Sequence, residues 1–274
     1  MDIARIEGQF VVAAEKIGVA VYDFDFRLHF DCSHPSSFDG ETCILRTGPI
    51  SEYSAVWSEY RDIGLSLVNS PEEHQRCSDL EYWYPLIEDL TPKSEIYEEL
   101  PTAREAEERF GWPMFVKGAR QTSRHNPDLS IIRDKHAYER LVQQYSLDSI
   151  LHWQKPVIRE FVRLERVEGE VPGKPPVSKE YRSFWWHGEL VGCDRYWYQV
   201  PAYECASLRA GIEIAREAAR RVACPFLVVD FAMTADGDWI VIECNDAQES
   251  GYAAIAPQVL WRNIIEISRL NGKA

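Results

Sequence analysis

Phe226-Leu227-Val228-Val229-Asp230-Phe231, a turn at Ala235-Asp236-Gly237-Asp238, and Trp239-Ile240-Val241-Ile242-Glu243-Cys244-Asn245-Asp246 form the stretch whose reading decides the fold. Two apolar runs joined by an Asp-Gly turn read as an antiparallel hairpin. The first run delivers Asp230; the second delivers Glu243 and Asn245, two apart on one strand and so on one face. All three are hard oxygen donors. An Asp beside a Glu-x-Asn pair suits one or two Mg2+ ions, which take a few carboxylates and leave other positions to water and phosphates. Acidic residues at strand ends are often only solvated rims, but such a face would ordinarily also carry Lys or Thr, and this one does not. The stretch therefore points to nucleoside triphosphate chemistry.

Outward from the hairpin, strands alternate with helices, which implies an α/β chain. Residues 19–26 alternate as a strand, 41–47 form another ending in Gly48-Pro49, and Ser51 is read as the N-cap of a helix that stops at Gly64. Residues 65–69 are a short strand, followed by Ser70-Pro71-Glu72-Glu73, which has an N-cap, Pro at the first helical position and acids in the first turn. Thr102 caps a helix to Phe110. An apolar strand, Pro113 to Lys117, follows, then a brief strand at Ile131-Ile132, a helix 135–145 capped by Asp134, and a strand 156–162. The Pro- and Gly-rich residues 166–178 read as a mobile excursion. Residues 180–186 and 190–196 form a second hairpin, and helices are expected over 206–222 and 254–270.

Composition narrows the function classes. A chain of 274 residues can bury a proper core. Its formal charge of -14 and pI near 5.0 argue against a general nucleic-acid or membrane surface, which would show a basic excess. Seven cysteines, odd in number and never spaced C-x-x-C, indicate neither a disulfide framework nor a zinc site. No leader-like or membrane-spanning run is evident, so a cytoplasmic location is expected. Most of the nine Trp and thirteen Tyr belong in the core, with a few left to line a pocket.

One order of parts is specific: an apolar strand arriving at Lys117, a strand ending Arg159-Glu160-Phe161-Val162, a Glu-x-Arg strand at Glu180 to Arg182, then Asp230 and Glu243-x-Asn245. This order resembles the ATP-grasp superfamily. The hairpin around Asp230 and Glu243 carries the resemblance most strongly, and Val68-Asn69-Ser70-Pro71 is similar to the element that precedes the ATP-binding subdomains. The chain looks most like the divergent clade marked by one arginine and two lysines, with Arg46 a candidate for the arginine and Lys179 for the second lysine. The resemblance implies an ATP-grasp fold: a small N-terminal parallel-sheet α/β domain over 1–105, then two α+β subdomains, 106–162 and 163–274, that sandwich ATP.

Carried over residue by residue, the resemblance gives Lys117 to the ATP phosphates, which a cationic point donor at a strand end would suit. Arg159-Glu160-Phe161-Val162 would be the cofactor-binding linker between the two subdomains, where Glu160 and the backbone of Phe161 and Val162 would meet adenine, and Glu165 would meet the ribose hydroxyls. Arg182, with Arg195 as the competing choice, would stabilise charge on the transferring phosphoryl group, as a planar donor pair can. Asp230, Glu243 and Asn245 would bind Mg2+. In one departure, the segment 118–127 has a single glycine where the superfamily often places a glycine-rich loop, and Arg120 and Arg124 could act there by charge. His125 is more often a loop hydrogen-bonding residue than a base.

The resemblance implies a ligase that activates a carboxylate as an acylphosphate and joins it to an amine or similar nucleophile, releasing ADP and phosphate. A small-molecule kinase on the same fold and a catalytically silent nucleotide-binding regulator are the alternatives. The co-substrates, a small molecule or peptide bearing the carboxylate and an amine, have no motif here. Oligomeric state has none either, although many members of the superfamily are dimers.

Overall fold

The computed structural model describes residues 1–17, 20–21, 24–120 and 127–271. In chain order the elements are β1 (Asp2–Ile6), β2 (Phe10–Ala14), the short pair β3 (Lys16–Ile17) and β4 (Ala20–Val21), β5 (Cys32–Ser33), β6 (Glu41–Arg46), α1 (Tyr53–Asp62), β7 (Leu65–Leu67), α2 (Pro71–Ser78), α3 (Leu80–Ile87) and β8 (Ser94–Ile96). There follow α4 (Ala103–Phe110), β9 (Met114–Gly118), β10 (Ile131–Ile132), α5 (Lys135–Tyr145), β11 (Pro156–Glu160), β12 (Glu180–Trp186), β13 (Glu189–Arg195), α6 (Leu208–Val222), β14 (Phe226–Met233), β15 (Trp239–Asp246) and α7 (Pro257–Asn271).

The strands form three main sheets. The first has the order β5-β1-β2-β6-β7. Its β2, β6 and β7 run parallel, while β1 and β5 add an antiparallel edge. β2 is buried at all five positions, as a continuous apolar strand between two neighbours should be. Where the sequence suggests a strand over 19–26, only Ala20–Val21 pairs, and Phe26–Leu28 is a 3-10 turn; residues 18–19 and 22–23 lie outside the described set. Helix α1 starts behind Glu52, without a side-chain cap from Ser51. The caps at Ser70, Thr102 and Asp134 form as the sequence indicates, the first two as full capping boxes with Glu73 and Glu105.

The second sheet has the order β10-β9-β11-β8. β8 lies before residue 105, yet it pairs with β11, so sheet membership does not follow the boundary drawn from sequence. The third sheet, β13-β12-β14-β15, is antiparallel throughout. Strand alternation explains its faces. Leu227, Val229 and Phe231 pack with Ala215, Ala218 and Ala219 of α6, while Phe226 and Val228 join Ile6, Phe10 and Val12 of the first sheet and Trp261 of α7. Asn69 splices the first sheet to the third: its amide donates to the Phe226 carbonyl at 2.8 Å and accepts from the Phe226 N–H at 3.0 Å.

The excursion read at 166–178 is tied down at its two ends, while residues 168–170 and 172–174 between them are exposed. Val177 is buried with Trp197 and Val200, and Leu164 and Arg166 form bridges to Thr234 and Ser178. Gly169 has a φ of +108°, and a Cβ there would lie 2.9 Å from Val200 Cγ1.

Gly211 on α6 makes a closer approach still: a Cβ would fall 2.6 Å from Trp239 and 2.7 Å from Phe231. Helix propensity alone would make Gly211→Ala stabilising by roughly 1 kcal/mol, but overpacking against buried rings costs roughly 1–3 kcal/mol. The substitution is therefore expected to lower the stability, measured by urea unfolding; a gain would show that α6 shifts freely on its sheet.

Candidate functional site

A cleft of about 1170 Å³ opens between the second and third sheets and is closed at one end by the loop that follows β6. On β14, Asp230 is the next residue along the face of Phe226 and Val228, at the point where that face leaves the core and enters the cleft. Opposite it, Asp230 pairs with Glu243 and Val228 with Asn245, and the register shifts after Asp230, so that Phe231 pairs with Val241. This bulge brings Ile240 and Ile242 to the cleft as well as Glu243 and Asn245, as bulges commonly re-aim side chains beside functional sites.

Both carboxylates are held by cations of the chain. Arg182 grips Asp230 with two parallel bonds, Nε to Oδ1 at 2.8 Å and Nη2 to Oδ2 at 2.7 Å. Lys117 donates to Glu243 Oε1. Burial pushes the Lys117 ammonium down against the pull of Glu243. Burial alone would push the Glu243 carboxyl up, but Lys117 and a bond from Asn245 carry it below its ordinary value. Burial likewise opposes the charge on Arg182, and Asp230 more than offsets it. Lys117 and Asp230 are buried, Glu243 and Arg182 partly exposed to the cleft, and burial raises the Asp230 carboxyl above its ordinary value against the pull of Arg182.

The residues singled out from sequence divide into two groups. Arg159, Glu160, Phe161, Val162, Glu165, Arg182, Asp230, Glu243 and Asn245 line the cleft. Lys117, Lys179 and Arg195 do not. Lys117 stands behind Glu243, 4% exposed, and Lys179 lies 3.7 Å from Glu165 at the rim. Arg195 pairs in register with Tyr181, so it points to the face away from the cleft and stacks over Tyr203; as a competitor of Arg182 it is corrected by one step of strand alternation. The Arg159 guanidinium is a brace, bonded to Ser94 Oγ at 2.8 Å and to the Ile242 carbonyl at 2.7 Å, and burial lowers it to about 10. Arg120 is paired with Asp79; Arg124 and His125 lie outside the described residues.

Two cleft residues had no role assigned from sequence. Tyr196 stacks on Arg182, 5.0 Å from its guanidinium carbon. Glu180 shares the cleft face with Arg182 and accepts from Trp197 Nε1 at 3.1 Å; the alternation that aims Arg182 was the signal for it. Among the described residues no three His, Cys, Asp or Glu side chains gather as a metal cluster, so a metal here relies on the Asn245 amide beside the two carboxylates. That donor set, all oxygen and facing a roomy cleft, fits Mg2+. Among the described residues no helix is long and apolar enough to cross a membrane.

A family model for the ATP-grasp domain, family 3 of the clade named for one arginine and two lysines, matches residues 84–264. The chain belongs to this family. Among solved structures, this ATP-grasp chain is similar to the D-alanine–D-alanine ligase of Bacillus anthracis complexed with ATP, at 18% identity and TM-score 0.57 over 85% of this chain and 80% of that one. It is also similar to the VanG D-Ala:D-Ser ligase of Enterococcus faecalis, at 14% and 0.58 over 83% and 72%. A third is the ATP-grasp ligase PsnB complexed with minimal precursor, Mg and ADP, at 15% and 0.51 over 79% and 67%. At these identities the likeness is one of fold. No curated protein matches the chain significantly in sequence. Arg46 lies outside the residues that the ATP-grasp family model matches.

Two expectations follow. Asp230→Asn strands the Arg182 charge in a buried setting, which costs about 3–5 kcal/mol when one partner of such a pair is removed; urea unfolding without nucleotide should show a loss of that order, and an unchanged midpoint would mean the pair is solvated. Burial and the charge of Asp230 raise the Glu180 carboxyl to about 8, and burial with Asp246 does the same for Glu249. Each proton is held more tightly in the folded chain, so its contribution is complete below the ordinary value of 4.5 and is lost as pH rises to about 8. Stability should fall across that window by on the order of 1 kcal/mol per pH unit for each group, and Glu180→Gln should remove one of the two shares.

Proposed function

We propose that the cleft binds ATP and Mg2+ and that the protein is an ATP-dependent, ADP-forming ligase that activates a carboxylate as an acylphosphate and joins it to an amine. The observation that carries this reading is the convergence of Asp230, Glu243, Asn245 and Arg182 in one cleft of a chain that belongs to the ATP-grasp family. Neighbours of like fold named as ligases, one complexed with ATP and one with Mg and ADP, support it. We also propose a cytoplasmic location, and the division into an N-terminal domain and two ATP-grasp subdomains, with β8 joining the sheet of the first.

Asp230, Glu243 and Asn245 are the residues that would hold Mg2+, which would offset triphosphate charge and draw electrons from the γ-phosphorus. The backbone of Phe161 and Val162, with Glu160, would meet the adenine edge, and Glu165 the ribose. Arg182 would stabilise charge on the transferring phosphoryl group, with Tyr196 fixing its plane. Lys117 would act from behind Glu243 on the same charge. Residues 164–166 and 173–178 line the cleft and would limit water, which competes for an acylphosphate. Catalysis on this reading is positioning and charge neutralisation.

The test avoids variants that strand a buried charge. ATP with Mg2+ at about 100 times its Kd should stabilise the unmodified protein by about 2.7 kcal/mol, and Asn245→Ala should lose most of this gain, measured against its own nucleotide-free melting temperature, which falls by what the lost bond to Glu243 is worth, about 1.5–3 kcal/mol. A carboxylate and amine panel is then screened for ADP and phosphate. A stable phosphorylated product without free phosphate would mark a kinase; no response of the unmodified protein to ATP with Mg2+ would end the reading.

A further inference from the structure

We infer that Arg46 is a positioning residue for the metal-bearing strand, through which the first sheet becomes part of the nucleotide site; for the identity of the metal and nucleotide this rests on the proposed function. β15 ends one residue past Asn245, and a 3-10 turn, Ala247–Glu249, follows. Left alone, such a turn would be free to move, and Asn245 with it. It is instead latched to the end of β6, more than two hundred residues away in sequence.

Arg46 is 3% exposed. Its Nη1 donates to the carbonyls of Ala247 and, at 3.4 Å, Gln248, and its Nη2 donates to that of Ser250 at 2.8 Å. Its plane lies over Tyr252, 4.7 Å from the ring centre. The turn answers in kind. Gln248 Oε1 accepts from the Leu45 N–H at 2.9 Å and the Gln248 carbonyl from the Thr47 N–H at 3.4 Å, so Gln248 docks on the end of β6 as a further strand would. The Gln248 amide donates to Tyr53 Oη at 2.8 Å and to Asp246 Oδ2 at 3.2 Å, and His74 Nδ1 is 3.0 Å from the same carboxylate oxygen.

The latch reaches the metal side of the cleft through a second guanidinium. Arg182, while holding Asp230, donates Nη1 to the Gly251 carbonyl at 2.8 Å. Carbonyls 247, 248 and 250 thus face Arg46 and carbonyl 251 faces Arg182, so one strip of backbone joins the first sheet to the partner of Asp230. Arg46 itself borders the cleft, and both terminal nitrogens of its fork donate to main-chain carbonyls of the turn. Lysine, a single point donor, cannot reproduce that pattern.

The test is Arg46→Lys, read in two ways. In the nucleotide-free protein, amide exchange over 247–251 should quicken about tenfold while β9 is unchanged. With ATP, the Mg2+ concentration for half-maximal thermal stabilisation should rise about tenfold, in the range of outer-shell changes at metal sites, with ATP affinity in EDTA moving less than about twofold. Gln248→Met removes the other side of the latch and should reproduce the pattern if Arg46→Lys fails to fold. Unchanged exchange in the variant that folds overturns the inference. So does an equal loss of ATP affinity with and without Mg2+, which would put Arg46 on the nucleotide itself. If the unmodified protein does not respond to ATP with Mg2+, the proposed function fails and the exchange arm alone decides the latch.

Discussion

Two carboxylates facing each other across a strand pair, Asp230 and Glu243, are the constraint around which the rest of the structure is arranged. Unpaired, they would repel in a buried setting at a cost of several kcal/mol. The chain answers with one cation from the adjacent strand and one from the neighbouring sheet: Arg182 from β12 and Lys117 from β9. Each pair needs its own geometry, and each geometry needs its own support. The Arg182 plane is held by Tyr196 and the Gly251 carbonyl. The hairpin that carries Glu243 is braced from the second sheet by Arg159 through the Ile242 carbonyl. The architecture of the two sheets can be read as the apparatus that keeps these four charges matched.

Charge matching also gives the proposed chemistry a physical form. The cluster of Lys117, Arg182, Asp230 and Glu243 is neutral as it stands. Adding ATP with two Mg2+ would bring four negative and four positive charges, so the loaded cluster would be neutral too. Loading would then be an exchange of partners within a set of charges whose sum is unchanged. Such an exchange needs no large change of local potential, which suits a cleft walled by buried strands.

The parts of the site that follow from local pattern were legible in the sequence. The apolar alternation around Asp230, the Asp-Gly turn and the Glu-x-Asn spacing define a hairpin with its donors on one face, and the caps at Ser70, Thr102 and Asp134 mark helix starts by chemistry confined to four residues. What needed register was not legible. Arg182 and Arg195 look equivalent as strand arginines until the pairing of Arg195 with Tyr181 sends it to the opposite face. Lys117 reads as a strand-end cation, and only the third sheet, more than a hundred residues on, makes it the partner of Glu243. β8 is three residues long, and α3 carries Pro85 within it, so neither announces itself. The bonds of Arg46 to the turn after β15 have no local signature at all.

The residues matched to the ATP-grasp family begin at 84, directly after Trp83, which is completely buried. A chain cut there would be a recognisable relative in sequence and a poor folding unit in fact. It would lose Asn69 at the start of β14, the α2 cover over β15, and the partners of Phe226, Val228 and Trp261 in the first sheet. Those large apolar side chains would then face water, inviting self-association. The boundary that separates this family in sequence comparison is thus not a boundary of autonomous stability, and swapping the N-terminal region between relatives would exchange part of the hydrophobic interior along with any acceptor preference.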